Sequence, residues 1–311
     1  MIQLFEQRDF GNKINATFQY ITQNFRSLAL TMLYIVGPVA LIAGIASGVM
    51  QSNMLNWAQA SGDPDAANNP MIALQMFRYI ASPSFALTIV FSLLAVLAVS
   101  LATYAHMKVY ARKTGQVQGS VSQGLSGPVD IDVAEVWAEI QPLIGRAILI
   151  GVLSGIVTFV ATLFLVIPGI YVGIVLSLAL VVTCFEGTDF GQTWNRCFTL
   201  IRDKWWSTLG LLIVMGIISG LIGLVFTLPA GIIGFLTGAK LVPGATVSLW
   251  VVLGNVIATV GSTLLRSLVY IAIGFQYTNL VERQEGRGLL SAIDSIGTSP
   301  TQPRASDEGT F

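Results

Sequence analysis

Apolar residues in this chain fall mostly in long unbroken runs rather than at alternating or striped spacing. Six runs qualify as membrane spans: 28–50, 85–106, 147–166, 169–185, 208–228 and 248–277. A helix needs about 20 predominantly apolar residues to cross a bilayer, and backbone exposed to lipid must satisfy its own hydrogen bonds. The pattern therefore predicts an all-α polytopic membrane helix bundle of six transmembrane helices. The fourth run is short, with 17 residues, and follows the third across Ile167-Pro168, which reads as a tight hairpin. The sixth, at 30 residues, exceeds a perpendicular crossing, which predicts tilt, a break near Gly261, or extension past the bilayer. The stretch 230–236 is apolar but too short to span and reads as an interfacial or shallow re-entrant piece.

Ahead of the odd-numbered runs the period changes. Phe18, Ile21 and Phe25 recur as Trp137, Ile140 and Ile144 and again as Phe198, Ile201 and Trp205. Spacings of three and four put each trio on one helical face, so each segment is expected to be a cytoplasmic amphipathic helix lying in the interface, with Trp205 and Trp206 at headgroup depth. Each following run carries Gly-x-x-Ser-Gly, at Gly44 to Gly48, Gly151 to Gly155 and Gly216 to Gly220. Small residues four apart let helix backbones approach closely, which predicts that the three odd spans form the packed centre. A three-fold repeat of interfacial helix plus hairpin is one reading; convergent composition in six ordinary spans is the other, because the trio-to-glycine distance differs between copies.

Domain organisation follows from the same pattern. Residues 1–296 read as one membrane domain and 297–311 as a disordered cytoplasmic tail, while the Gly- and Ser-rich stretch 114–129 reads as a linker and 71–77 as a surface helix capping the bundle.

Composition then narrows the function classes. With 54% hydrophobic and 10% charged residues, against about 25% charged in soluble proteins, the chain is not a soluble enzyme. Sixteen basic and sixteen acidic residues balance, which leaves no net field to gather nucleic acid. Thirteen of the sixteen basic residues fall on the amino-terminal segment, the 107–146 and 186–206 loops and the carboxyl tail, so the excess of cytoplasmic Lys and Arg predicts that both termini are cytoplasmic. The first 27 residues lack the basic head and apolar run of a signal peptide.

Counting residues excludes most intramembrane chemistry. Cys184, Cys197 and a single histidine, His106, cannot build a zinc site, and no Asp or Glu falls within the six runs. No catalytic set and no cofactor is expected. Arg266 is the one charged residue deep in a run. Either it snorkels to the outer headgroups, or, with Asn255, Ser262 and Thr263 on nearby turns, it lines a polar cavity for a lipid phosphate or anionic solute.

The stretch Val181-Val-Thr-Cys-Phe-Glu186, then Trp194-Asn-Arg196-Cys-Phe198-Thr-Leu-Ile-Arg202 and Trp205, ahead of a glycine-rich span, resembles a broad bacterial family. This is the six-span membrane domain of some glycerophosphodiester phosphodiesterases and its stand-alone YciC-like relatives of unknown function. The resemblance is strongest over 151–228. It implies a membrane domain without the phosphodiesterase chemistry, which belongs to a separate soluble barrel, and it carries over only Glu186, Trp194, Arg196 and Trp205 as matching positions. Two functions are expected to compete: a non-enzymatic protein that organises membrane lipids or partner proteins through its interfacial helices, and a transporter or channel with Arg266 in its path.

Overall fold

A computed structural model describes residues 1–60, 77–78, 80–116, 129–239, 241 and 244–286. Among these the regular structure is entirely helical: α1 (Phe10–Gln23), α2 (Phe25–Thr31), a π-helical turn (Met32–Val36), α3 (Gly37–Ala60), α4 (Pro83–Lys113), α5 (Val133–Ile140), α6 (Ile144–Phe164), α7 (Val166–Leu176), α8 (Ala179–Glu186), α9 (Phe190–Ile201), α10 (Trp205–Gly238) and α11 (Gly244–Glu285). Six helical stretches are long and apolar enough to cross a membrane, and the chain is an all-α polytopic membrane protein. The expected tail at 297–311, most of the 114–129 linker and most of the 71–77 helix lie outside the described residues.

Local sequence explains where the helices begin and end. Asp132 with Glu135 and Asp189 with Gln192 form capping boxes that start α5 and α9, each supplying acceptors for backbone N–H groups that lack helical partners. Ser82 caps α4 by accepting from Phe85 N, and Pro83 takes the first helical position, where its missing N–H costs nothing. Gly187 ends α8 at φ +68, a left-handed cap that glycine adopts without strain. The α6–α7 turn falls at Leu165, three residues ahead of Pro168, which sits in the first turn of α7.

Two expectations about the long runs are corrected. Residues 230–236 are not a separate re-entrant piece: α10 continues through Pro229 to Gly238. The added turns pack on α11, where a Cβ at Gly254 would lie 3.0 Å from Ala230 Cα. Nor is the sixth span broken at Gly261, for α11 is one helix of 42 residues. Gly261 instead makes room for the Phe226 ring of α10.

The packed centre is α11, against which α10, α3 and α4 lie, rather than a cluster of the odd spans. Gly44 and Gly48 bring α3 onto α11 at backbone distance: added Cβ atoms would stand 2.9 Å from Val256 Cα and 2.8 Å from Val252 Cα. Gly151 touches only Leu97 of α4, whereas Gly155, Gly216 and Gly220 face open space. The three-copy packing role is therefore corrected to one copy that joins backbones and a second, Gly151, that meets a side chain. A motif repeated in sequence packs only where a partner helix crosses it.

The chain's first residues and the end of α11 meet at one end of the bundle, the terminal face. Ile2, Leu4 and Phe5 are buried there, Ile2 N donates to the Tyr110 hydroxyl at 2.9 Å, and Arg8 N donates to Asn279 Oδ1 at 2.8 Å. α1, α5 and α9 pack around this face. Towards the opposite, distal face, α6 and α10 expose apolar side chains such as Phe159, Leu163, Leu221 and Val225, the outward surface expected of helices solvated by lipid.

Candidate functional site

The terminal face holds a layer of buried polar side chains between the interfacial helices and the span ends. α1 supplies the largest share, for a reason visible in its register: Lys13, Ala16, Thr17 and Tyr20 are its buried face, at the i, i+3, i+4, i+7 positions of one stripe. The aromatic trio lies on another stripe, with Phe18 and Ile21 half-buried against Leu211, Met215 and Leu268 and Phe25 66% exposed. α1 thus turns both its Lys13–Thr17–Tyr20 stripe and its apolar Ile14, Phe18 and Ile21 towards the protein, and exposes mainly polar residues, Asn12, Asn15, Gln19 and Gln23.

Lys13 is 3% exposed. Its ammonium donates to Gln276 Oε1 of α11 at 2.7 Å and to Ser207 Oγ of α10 at 3.2 Å. Gln276 Nε2 in turn donates to Thr208 Oγ1 at 2.8 Å, and Thr208 donates to the Lys204 carbonyl at 3.1 Å. All of these partners are neutral. Burial, followed by repulsion from Arg283 and Lys204 and opposed by Asp9, lowers the lysine to about 8.

His106 joins α1 and α2 to α4. Its Nδ1 is hydrogen-bonded to the Tyr20 hydroxyl at 2.7 Å and its Nε2 to Ser27 Oγ at 3.0 Å, while Ser27 Oγ donates to the Asn24 carbonyl at 3.1 Å. With the serine proton committed to that carbonyl, a consistent network has Nε2–H donating to Ser27 and Tyr20 donating to Nδ1. In that arrangement His106 is not placed as a base for Ser27. The Tyr20 ring is also edge-on to Tyr110 and Phe275, and burial raises its hydroxyl well above the ordinary tyrosine value.

A third cluster unites two of the resemblance positions with α11. Arg196 Nε donates to both carboxylate oxygens of Glu186 at 3.0 Å, its Nη2 pairs with Glu285, and Tyr277 donates to Glu186 Oε1 at 2.8 Å. Burial opposes the guanidinium's charge, but Glu285 and Glu186 outweigh it and hold Arg196 above its usual value. Cys197, one residue on, is a free buried thiol that burial, with Glu186 adding to it, pushes up to about 12. Trp194 and Trp205 lie elsewhere, in an aromatic group in which Trp205 stacks on Tyr171 at 5.7 Å and Trp194 meets Phe198 at 4.9 Å. Phe198 therefore holds α9, and Trp205 the start of α10, against Tyr171 of α7, while Trp206 is 78% exposed.

The cavity expected around Arg266 is not assembled from its named residues. Asn255 is buried and donates back to its own helix at Val251 O, beside Gly48 where α3 crosses. Thr263 is buried, Ser262 bonds its own helix at Thr259 O, and Arg266 is exposed. A shared helical stripe did not bring them together because α3 covers only its first turns. Arg266 makes no ion pair among the described residues and lies within electrostatic reach of Tyr270.

Sequence reasoning overlooked Lys13, Gln276 and Asn279. The signal was present: polar residues at helical spacing on α1 and a Gln and an Asn three apart at the end of the sixth span. No group of His, Cys, Asp or Glu among the described residues could hold a metal ion. Compared with known proteins, the chain matches no family model, no curated protein and no solved structure.

Proposed function

We propose that this is a non-enzymatic membrane protein that organises lipids or partner proteins through α1, α5 and α9, with the terminal face on the cytoplasmic side of a bacterial inner membrane. The observation that carries this reading is the buried polar layer. It fixes the interfacial helices rigidly to the bundle while large aromatics, Phe25, Trp137 and Trp206, stay exposed along the same rim. Rigid presentation of amphipathic aromatics at headgroup depth lowers the ordering cost of holding a lipid or a partner helix. The orientation is supported by the concentration of Lys and Arg on this face. The resemblance of the Glu186 to Trp205 segment to a membrane domain without chemistry of its own points the same way. Changing Phe25, Trp137 and Trp206 together to Ser should reduce co-purifying lipid and partner proteins while leaving insertion intact; unchanged association would overturn the reading.

A second reading rests on Arg266: an exposed cation in the interior of α11 with no ion pair among the described residues. Such a residue costs several kcal/mol in lipid unless water or an anion reaches it. This supports a transporter or channel for an amphiphilic or anionic solute. Arg266→Ala would then abolish solute flux in liposomes, and flux equal to wild type would remove Arg266 from the path.

A further inference from the structure

The segment formed by α6, α7 and α8 is fixed to the terminal face at both ends. Arg146, near the start of α6, donates to the Gly187 carbonyl just past the end of α8. Phe185 and Glu186, which close α8, meet Tyr277 of α11, with 5.4 Å between the rings and 2.8 Å from hydroxyl to carboxylate. The chain turns back at Leu165, between α6 and α7. How deep that turn lies is set by Tyr171. Its ring stands 5.7 Å from Trp205 and 6.3 Å from Phe198, and its carbonyl accepts from Trp205 Nε1 at 3.3 Å. Trp205 is the first residue of α10, and Phe198 belongs to the interfacial helix α9.

These contacts bound the depth of the turn. Leu165 precedes Tyr171 by six residues, about 9 Å along α7. The bond from Trp205 to Tyr171 spans at most about 11 Å between their Cα atoms, summed over covalent bond lengths. The turn therefore lies within about 20 Å of the start of α10, no further along it than roughly residue 218. α10 itself runs 34 residues, about 50 Å. Its exposed apolar side chains continue through Leu224, Leu228, Ile232 and Phe235, so lipid-facing surface extends about 15–25 Å past the turn. α6, with 21 residues, would reach about 30 Å if upright and must lean to meet it.

The turn is built for hydrocarbon. Leu163, Phe164, Leu165, Val166 and Ile167 are 62–81% exposed, and no polar side chain falls between Leu163 and Ile170. The connections that follow α3 and α10 contain, by contrast, Asp63, Asp65 and Arg78 in one and Lys240 in the other. Backbone polar groups in lipid must find partners within the protein. Leu165 is the one extended residue of the turn, and both its backbone groups are paired: its N–H donates to Ala161 O and its carbonyl accepts from Gly169 N, each at 3.1 Å. Pro168, in the first turn of α7, has no N–H to leave unpaired. The arms close on each other without polar surface, for a Cβ at Gly169 would lie 2.5 Å from Thr162 Cα and one at Gly173 3.2 Å from the Thr158 methyl.

We infer that α6 and α7 form a re-entrant hairpin that enters from the terminal face, turns inside the hydrocarbon core and seats its exposed apolar surface among the acyl chains of the terminal-side leaflet. Four full crossings remain, in α3, α4, α10 and α11. The hairpin adds volume to one leaflet and none to the other, which makes it a wedge. It shares with the lipid-organising reading only the placement of α9 and Trp206 at headgroup depth.

The test uses the full chain in phosphatidylcholine liposomes, with single cysteines introduced as Leu165→Cys and, two residues past α10, Lys240→Cys; wild type gives the background from the two native thiols. A membrane-impermeant maleimide is admitted to both sides by freeze–thaw. Lys240→Cys should label, whereas labelling of Leu165→Cys should be lost until detergent is added; equal labelling of the two overturns the hairpin. Bimane attached to Leu165→Cys in detergent and then reconstituted gives a second measurement. Stronger quenching by lipid spin-labelled at acyl carbon 12 than at the headgroup places the turn among the chains. Stronger quenching from the headgroup places it at the far interface and overturns the inference. Quenching by neither means that protein, such as a second copy, covers the turn, and overturns acyl chains as its partner. Unchanged association in the Phe25, Trp137 and Trp206 variant would overturn the organising role and leave each of these outcomes as it stands.

Discussion

Lys13→Met is the sharpest probe of the buried polar layer, because it removes a charge while keeping an unbranched side chain of similar length. In the unfolded chain the lysine titrates near 10.5, and in the folded protein at about 8. Between those values the unfolded state binds more protons, so stability rises with pH through this window. Below about 8 both states carry the charge and the full cost of burying it is present. The shift of the folded value corresponds to about 3 kcal/mol in all, of which about 2 kcal/mol appears between roughly pH 7 and 9.5. Two groups act oppositely: burial raises Tyr20 and Cys197, so their contributions fall away as pH passes their unfolded values. The readout is therefore the difference between wild type and Lys13→Met, from SDS-titration unfolding in zwitterionic micelles. Wild type should gain about 2 kcal/mol relative to the variant across that interval. Parallel pH profiles would refute the argument that an unpaired ammonium is buried between α1, α10 and α11.

Other outcomes can be checked separately. Gly48→Ala should destabilise the protein by about 1–3 kcal/mol, since its Cβ would meet the Val252 backbone, while Gly216→Ala and Gly220→Ala, facing open space, should be neutral or slightly stabilising in thermal melts. Glu186→Gln should cost about 2 kcal/mol by weakening the bonds it accepts from Arg196 and Tyr277, measured by the same SDS titration. Cys184 and Cys197, both buried, should resist maleimide in native micelles and react only after denaturation; labelling of the folded protein would contradict their burial.

Runs of apolar residues were sufficient to mark six candidate spans, since a span is a local property: twenty residues must satisfy their own backbone and face lipid whatever surrounds them. Capping boxes at Asp132 and Asp189, and the helical stripes of the interfacial segments, are local in the same sense. Which glycine is a contact and which is bare surface is not. Gly44 and Gly216 stand in the same five-residue motif, yet only the first is crossed by a partner helix. Arg266 stood out in the sequence as a charge without a partner, but its three proposed neighbours were dispersed by where α3 lies across α11. Lys13 passed as one more interfacial cation. It became exceptional only when tertiary packing turned the polar stripe of α1 inward and brought Ser207 and Gln276 to it from 194 and 263 positions away. Sequence by itself determined what each segment could be in a bilayer. Only the packing of α1, α10 and α11 decided that the charge of Lys13 would be buried, and among which groups, because electrostatic cost depends on distances between segments that no local pattern encodes.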